Sequence, residues 1–365
     1  MKFKCQQKIF FASLQNVNRA IQLNNTLPIL NNVMIKAENG KVTLSGTNLE
    51  IAIQSSFEAK IENEGGFTVP VKILSSYIGL LKDADLSVQL EASGVLVLSQ
   101  GISETKIKGI AVDEFPIIPK IEKDTEVDIK ANDLKLLISQ IVFAASNNQA
   151  RPILTGVLFE KEGDEIKLAA TDSYRLSERK LKLKNSDKEN IKSVIPAKTL
   201  LELSKIISGE EKAKIYFAKN QVVFEWENVK LISKLIEGAF PDYSPIIPKG
   251  FNVKVDIDKA DLLIALRKLS IFAVEKNGSI NMSTTNDNTL HLFTEKTLSG
   301  ESKEDLPANI DGQNTKVFIN ANYLIDVLNN IETAKVQIEM GEKLTPVAIK
   351  PLNKEGYINI IMPLR

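Results

Sequence analysis

The stretch IPAKTLLELSKIIS, residues 195–208, decides the fold because related stretches occur twice more in the chain. VPVKILSSYIGLLK begins at Val69 and INANYLIDVLNNIE begins at Ile319, at spacings of 126 and 124 residues. A second set, KIFFASLQNVNRAI, NDLKLLISQIVFAA and DKADLLIALRKLSI, has the same two spacings in reverse order. Its members begin at Lys8, Asn132 and Asp258. Two sets of segments with one common period indicate a threefold internal repeat.

Each repeat predicts two amphipathic helices. In the middle repeat, apolar residues from Leu134 to Ala145 recur at three- and four-residue intervals, which places them on one face of a helix. The predicted helices span residues 8–24, 70–82, 132–146, 196–209, 258–275 and 320–332. Pro70 and Pro196 stand just before the second helices of the first two repeats, where a missing N–H costs little. Asn320 has the matching place in the third repeat and is expected to cap that helix.

Between the helices the apolar pattern changes to alternation, as in KVTLSGTNLEIAIQ (41–54) and LSVQLEASGVLVLS (86–99). Short alternating runs joined by Gly, Asn and Asp turns predict antiparallel sheet. The predicted fold class is therefore α+β, with three repeated domains that each pack two helices on antiparallel sheet. The predicted domains are residues 1–120, 121–250 and 251–365, and the proline-containing segments 113–126 and 238–252 are the expected linkers.

Composition limits the class of protein. The 365 residues include 46 basic and 46 acidic side chains, which argues against a protein that grips nucleic acid by bulk charge. Charges segregated onto different faces remain compatible with nucleic-acid binding. No apolar run approaches the ~20 residues that span a bilayer, and the N-terminus lacks a signal-peptide core, so we expect a cytoplasmic protein without a membrane partner. The single Cys5 excludes an internal disulfide.

The motifs of common enzymes are missing from the sequence. It contains neither a phosphate-binding G-x-x-x-x-G-K-[ST] loop nor a G-x-G-x-x-G turn. Its one histidine, His291, lies in a strand-like run and is interpreted as a half-buried strand residue rather than a general base. The SERK stretch, Ser177–Lys180, matches the S-x-x-K pattern of some acyl-transfer enzymes, but so short a pattern arises by chance and no K-T-G follows it. We therefore expect no catalytic residue, metal or cofactor.

Several segments resemble those of one family over the whole chain. They are TLPILNNVMI (26–35), LSGTNLEIAI (44–53), ATDSYRLS (170–177), SKLIEGAFPDYSPIIP (233–248) and IMPLR (361–365). In this order they are similar to the signatures of the bacterial DNA polymerase III beta subunits, the sliding clamps of replication. The resemblance implies a head-to-tail homodimer whose six domains close into a ring around duplex DNA. It also implies partnership with the replicative polymerase, the clamp loader and other proteins that carry a clamp-binding motif.

The resemblance further implies an apolar cleft between the second and third domains, into which partners insert a short peptide. By position, its lining residues are Leu154, Thr171, Tyr174, Arg175, Leu176, Pro241, Ile246, Leu344, Pro346, Ile360, Met362, Pro363, Leu364 and Arg365. Asp172 and Arg175 would order the loop that contains them. The family commonly has Gly-His where this chain has Ser173-Tyr174, which leaves its peptide preference open.

The same resemblance implies DNA contacts and a dimer interface. The candidate DNA contacts are Arg19, Lys72, Lys82, Lys135, Arg151, Lys198 and Lys205. An arginine common in the family is replaced here by Asn24. The candidate interface joins the strand around Ile107 to the helix end that contains Ile271 and Phe272.

The charge of the helices gives only a slight signal for DNA. The six predicted helices contain ten basic and seven acidic residues, a net charge of +3, and Lys8 belongs to this set with the candidates above. An ordinary solvated helix face explains the same charges. Two hypotheses of function therefore stand: a clamp that encircles DNA, and a repeat-built scaffold that binds peptides but no DNA.

Overall fold

The six predicted helices all form. The computed structural model describes residues 1–21, 27–119, 125–183, 189–285, 287–342 and 344–364. In these ranges each helix lies at its predicted place and ends earlier than predicted. The helices are α1 (Gln7–Asn18), α2 (Val71–Ile78), α3 (Ala131–Ile141), α4 (Ala197–Ile206), α5 (Lys259–Ala273) and α6 (Ala321–Asn329). No helix in the described ranges combines the length and the apolar character needed to cross a lipid bilayer.

The apolar stripe of α1 continues beyond the helix itself. The N–H of Arg19 donates to the carbonyl of Asn16 and that of Ala20 to Val17, so the helix tightens into i→i−3 turns after its last residue. Ala20 and Ile21 are nevertheless buried. Because these buried residues continue the apolar periodicity past the end of the helix, the predicted helix end at residue 24 was wrong by several residues. Residues 22–24 lie outside the described part of the chain.

The predicted cap of α6 is confirmed. The side-chain oxygen of Asn320 accepts hydrogen bonds from the backbone N–H groups of Asn322 and Tyr323 at 2.9 and 3.4 Å. This satisfies donors that the first helical turn leaves without an intrahelical partner. Asp258 caps α5 in the same way, through the N–H of Ala260.

Short antiparallel strands fill the sequence between the helices, as the alternation predicts. Numbered along the chain, they are β1 (Lys2–Gln6), β2 (Asn32–Glu38), β3 (Lys41–Thr47), β4 (Ile51–Glu58), β5 (Lys60–Asn63), β6 (Gly65–Pro70), β7 (Asp85–Glu91), β8 (Val95–Gln100), β9 (Ser103–Lys108), β10 (Thr125–Lys130), β11 (Gly156–Glu162), β12 (Glu165–Thr171), β13 (Arg175–Lys182), β14 (Ile191–Pro196), β15 (Lys212–Ala218), β16 (Gln221–Trp226), β17 (Val229–Lys234), β18 (Val253–Asp258), β19 (Ser279–Thr285), β20 (Thr289–Phe293), β21 (Lys303–Pro307), β22 (Asn309–Gly312), β23 (Lys316–Asn320), β24 (Lys335–Met340), β25 (Val347–Pro351) and β26 (Tyr357–Ile361).

The first of two compact units comprises Met1–Lys135 and Lys198–Leu235. It contains a five-stranded sheet, β5-β1-β7-β8-β9, and an eight-stranded sheet, β10-β15-β16-β17-β4-β3-β2-β6. The longer sheet joins the first repeat to the second, because β4 pairs with β17 and Ile53 lies opposite Leu231. We call this pairing the first junction. Helix α1 packs on β3 and β4 and buries Phe10 and Leu14 completely.

The second unit comprises Leu136–Ala197 and Ile236–Arg365. Its nine-stranded sheet has the order β14-β11-β12-β13-β26-β25-β24-β18-β22, and its four-stranded sheet has the order β21-β20-β19-β23. The longer sheet joins the second repeat to the third, because β13 pairs with β26 and Ser177 lies opposite Asn359. We call this pairing the second junction. Helices α5 and α6 pack together, and α5 also contacts β19, β20 and β21.

Both junctions pair strands of the same kind. Each joins the last strand of one three-stranded run to the last strand of another: β2-β3-β4 to β15-β16-β17, and β11-β12-β13 to β24-β25-β26. Two further runs of this form remain, β7-β8-β9 and β19-β20-β21. Their last strands, β9 and β21, are sheet edges with no partner strand in the described part of the chain. Such edges present unpaired backbone donors and acceptors to a further strand.

Candidate functional site

The turn between β12 and β13 is built by its own polar side chains. The hydroxyl of Thr171 donates to the carbonyl of Arg175 at 2.6 Å and accepts the N–H of Ser173 at 3.1 Å. One carboxylate oxygen of Asp172 accepts the N–H groups of Tyr174 and Arg175 at 2.9 and 3.0 Å. Ser173 has a positive φ of 80°, which the local hydrogen bonds hold in place. These residues therefore build a rigid turn.

Arg175 is fixed by two carboxylates and two aromatic rings. Its Nε donates to Asp172 at 3.0 Å, and its Nη1 donates to Asp326. The guanidinium carbon lies 4.6 Å from the ring centre of Tyr323 and 5.5 Å from that of Phe143. An arginine held in this way presents the flat face of its guanidinium group to aromatic neighbours. These contacts fix the Arg175 side chain beside the turn.

The chain's C-terminal segment lies against this turn. After β26, the N–H of Met362 donates to the carbonyl of Tyr174 at 2.9 Å, and the N–H of Leu364 donates to the carbonyl of Phe318 at 2.8 Å. The two bonds hold the segment beside the turn and the third repeat's β23. Arg365 lies outside the described residues.

An apolar cluster at the second junction lies beside the turn. Leu176, Ile360, Phe240 and Tyr243 are buried in it, and Ile246 packs against it half-buried. The other predicted lining residues are Leu154 and Thr171, which are buried, Pro346 and Pro363, which are half-buried, and Pro241 and Leu344, which are exposed. The predicted lining residues of the second junction therefore include both members of a buried apolar cluster and exposed residues.

A tyrosine anchors the connecting segment that covers this cluster. The hydroxyl of Tyr243 donates to Oε2 of buried Glu178 at 2.7 Å, and burial is the main cause that raises the pKa of Tyr243 above its ordinary value. Replacing Tyr243 by phenylalanine should lower the free energy of unfolding by about 1–3 kcal/mol, because a buried carboxylate loses its donor. Urea denaturation measures this change. Tyr174→Phe is the matched control, and an equal loss from that exposed residue would contradict the assignment.

The candidate DNA contacts are all exposed. Arg19, Lys72, Lys82, Lys135, Lys198 and Lys205 belong to the first unit, and Arg151 belongs to the second. Glu202 brings two of them together, because it lies 3.8 Å from Nη1 of Arg19 and 2.7 Å from Nζ of Lys205. Arg151 donates to the hydroxyl of Ser173 at 3.4 Å and so lies beside the turn. Asn24 lies outside the described residues.

The candidate dimer residues differ in exposure. Ile107 lies on the edge strand β9 but is only 4% exposed, so its side chain belongs to the core of its unit. Ile271 is 69% exposed at the end of α5, whereas the ring of Phe272 is half-buried and packs against Gly300. Val274, at 73% exposure, extends the apolar surface around Ile271. The sequence reasoning did not name Val274.

The residues that the sequence analysis weighed as catalytic candidates make structural contacts. Ser177 is fully buried on β13 and donates to the carbonyl of Gln140, and Lys180 lies three positions later, on the opposite face of the strand. His291 is a half-buried strand residue, as predicted, bonded to Thr285 and Asp305 at 2.8 and 2.7 Å. Within the described ranges, no group of three or more His, Cys, Asp and Glu is arranged to hold a metal ion.

Sequence reasoning missed the residues that hold Arg175. Tyr323 and Asp326 lie on α6 and Phe143 follows α3, so all three are remote from the turn in sequence. Tyr323 and Asp326 stand three positions apart within the repeated segment that begins at Ile319, which places them on one helix face. Only the three-dimensional contact identifies that face as part of the site.

Comparison with known proteins places three parts of the chain in one family. Residues 1–119 match the N-terminal domain of the DNA polymerase III beta subunit, residues 128–242 match its central domain, and residues 244–365 match its C-terminal domain. Together these matches extend over nearly the whole chain.

Individual relatives agree with this assignment. A beta sliding clamp from Staphylococcus aureus is 31% identical over 375 residues, covering 100% of this chain and 99% of the relative. The crystal structure of the DNA polymerase sliding clamp from Bacillus subtilis superposes with a TM-score of 0.95 at 29% identity, over 100% of this chain and 99% of that one. The beta subunit from Streptococcus pyogenes gives a TM-score of 0.96 at 28% identity, with 100% of each chain covered.

Proposed function

We infer that this chain, which belongs to the DNA polymerase III beta subunit family, is a processivity factor that keeps a replicative polymerase on its DNA. A processivity factor holds the polymerase at its DNA but catalyses no reaction itself, and the protein is not an enzyme. We propose that it acts in the cytoplasm, where bacterial DNA lies. The proposed domains 1–120, 121–250 and 251–365 are supported by the three segments that match the family's domains.

The proposed assembly is a head-to-tail homodimer that closes into a ring. The observation that carries it is that β9 and β21 each end a three-stranded run like those that meet at the two junctions, yet lack a partner strand within the described residues. Pairing β21 of one copy with β9 of a second would repeat the junction pattern between copies. Two copies then contribute six repeats, and a heterologous contact repeated by a twofold rotation closes a ring rather than extending a filament.

Apolar side chains beside β21 support this contact. Ile271 and Val274 are exposed at the end of α5, the helix that packs on β21. On the other side, the buried Ile107 anchors β9 to the core of its unit, and the outer edge of β9 has no partner strand among the residues that the structure describes. The proposed interface therefore combines backbone pairing with burial of Ile271 and Val274, and the half-buried Phe272 belongs to it by position.

DNA is the proposed occupant of the ring. The candidate contacts are Arg19, Lys72, Lys82, Lys135, Arg151, Lys198 and Lys205, all of them exposed. Their positive charge is modest, and Glu202 offsets part of it beside Arg19 and Lys205. Few strong phosphate contacts suit a ring, because the topological link holds the DNA while weak, sequence-independent attraction permits sliding.

The second junction is the proposed docking site for partners. Its turn, C-terminal segment and apolar cluster would take a short peptide from the polymerase, the clamp loader or another protein with the same motif. The polar and aromatic setting of Arg175 would fix one end of that peptide. Arg365 belongs to this proposal by position.

Retention on closed DNA tests the proposed function directly. After loading by a clamp loader with ATP, the protein should remain on a nicked circular plasmid in moderate salt and leave within minutes once the circle is cut. The reason is that only free ends release a topologically linked ring. The measurement is co-elution of labelled protein with DNA before and after linearisation.

Two other results would contradict this. Equal retention on circular and linear DNA would indicate ordinary binding. Peptide binding without any retention would favour the alternative function, a peptide-binding scaffold without DNA encirclement, which the net charge of zero makes worth testing.

A further inference from the structure

The first junction reproduces the turn of the second junction. The hydroxyl of Thr47 donates to the carbonyl of Ile51 at 2.8 Å and accepts the N–H of Leu49 at 3.0 Å. The side-chain oxygen of Asn48 accepts the N–H groups of Glu50 and Ile51 at 3.0 and 2.9 Å. The third residue of the turn, Leu49, has a φ of 72°. Each of these features matches the turn between β12 and β13.

The surroundings of the two turns also correspond. At the first junction the N–H of Lys234 donates to the carbonyl of Glu50 at 3.1 Å, as Met362 does to Tyr174 at the second. Ile118 from the connecting segment packs against a buried cluster that includes Ala52 and Ile232. At the second junction, Ile246 and Ile247 from the connecting segment likewise pack against the cluster that includes Leu176 and Ile360.

A smaller side chain at the first junction accompanies a pocket there. Alanine at position 52 stands where Leu176 stands at the second junction, and the smaller side chain contributes to a cavity of about 180 Å³. The cavity is lined by Thr47, Leu49, Ala52, Ile117 and Ile232 among others, and Glu50 and Lys234 complete its lining. Apolar cavities of about 150 Å³ accept a benzene-sized group, so this one has room for one branched aliphatic side chain.

Two charged side chains of the lining distinguish this pocket from the second junction. Glu50 and Lys234 are both exposed, and no ion pair joins either side chain to another described residue. They replace the uncharged Tyr174 and Met362 of the second junction. An extended peptide with a basic residue on the Glu50 side and an acidic residue on the Lys234 side would satisfy both charges.

We propose that the first junction is a second peptide-binding site, for an extended segment with one aliphatic anchor between a basic and an acidic residue. This proposal rests on the proposed function, because it takes the turn of the second junction as the wall of a peptide site. It assigns the two junctions different ligands: an apolar motif at the second and a charge-flanked anchor at the first.

The test uses the full-length protein and a blocked pentapeptide, Ala-Lys-Leu-Asp-Ala. Methyl-labelled NMR should show shifts at Ile117, Ile118 and Ile232 that titrate with a Kd of about 1 mM or tighter. The same peptide with alanine in place of leucine should bind at least about tenfold more weakly, since the anchor is lost.

Two leucines provide a matched pair of variants. Leu49 and Leu344 have φ values of 72° and 71° and are 47% and 52% exposed, so glycine relieves backbone strain at both. Leu49→Gly and Lys234→Glu should each weaken binding of the pentapeptide at least about tenfold and leave binding of a polymerase-derived peptide unchanged. Leu344→Gly should weaken binding of the polymerase-derived peptide and leave binding of the pentapeptide unchanged.

The outcomes separate this proposal from the proposed function. Absence of methyl shifts at 10-fold higher peptide concentration, or shifts that Leu49→Gly and Lys234→Glu leave unchanged, would overturn the second site. Shifts confined to Ile246 and Ile360 would also overturn it, because the peptide would then occupy the second junction. Failure of the polymerase-derived peptide to bind the unaltered protein would instead count against the proposed function.

Discussion

A protein with aspartate in place of both Ile271 and Val274 should be a folded monomer at concentrations where the unaltered protein is a dimer. These side chains are 69% and 73% exposed in the single chain, so the substitutions need not disturb its core. In the proposed interface they would lose about 1.5–3 kcal/mol of apolar burial each, and two carboxylates would be desolvated without partners. The dimer dissociation constant should rise by at least about 100-fold.

Light scattering measures the oligomeric state, and circular dichroism checks the fold. Phe272 is left unchanged because it packs against Gly300 and its replacement would confuse misfolding with dissociation. Leu201→Asp is the control, since Leu201 is an exposed leucine on α4, outside the proposed interface. The interface is refuted if the double variant stays dimeric, or if the control dissociates as readily.

Ending the chain after Met362 should abolish binding of a polymerase-derived peptide and leave the dimer intact. This truncation removes Pro363, Leu364 and Arg365 but keeps the bond from Met362 to Tyr174, so the end of β26 stays in place. A docked peptide would bury on the order of 400 Å² of apolar surface, and losing one wall of the site should cost at least about 2 kcal/mol, or ~30-fold in affinity.

Calorimetry with the peptide and light scattering on the same sample test the two halves of this expectation. Leu49→Gly, which alters only the first junction, is the control and should bind the polymerase-derived peptide normally. Unchanged affinity in the truncated dimer would mean that partners dock elsewhere. Loss of the dimer as well would mean that the C-terminal segment supports the whole unit.

The sequence predicted the elements of this fold better than their pairing. Local periodicity identifies a helix and local alternation identifies a strand, which is why all six helices form where expected. The pairing of Ile53 with Leu231 joins strands that are far apart in sequence, and a local sequence pattern cannot predict such a pairing. The same holds for Arg175, whose partner Asp326 is 151 positions away.

Burial also separated the predicted interface residues in a way that the sequence could not. Ile107, Ile271 and Phe272 are all large and apolar, and composition treats them alike. The structure places Ile107 in a core, Phe272 half-buried against Gly300, and Ile271 at the surface. An alternating strand pattern shows that one face is buried, but it does not show which edge of the sheet is left without a partner.

The sheets that cross repeat boundaries affect how fragments of the chain would behave. The middle repeat contributes β10, β15, β16 and β17 to the first unit's longer sheet, and β11 to β14 to the second unit's longer sheet. Any fragment that isolates one repeat would strip β4, β17, β13 or β26 of its neighbour and expose a bare edge, which invites aggregation. We therefore expect a single repeat, expressed alone, to aggregate more readily than the full chain.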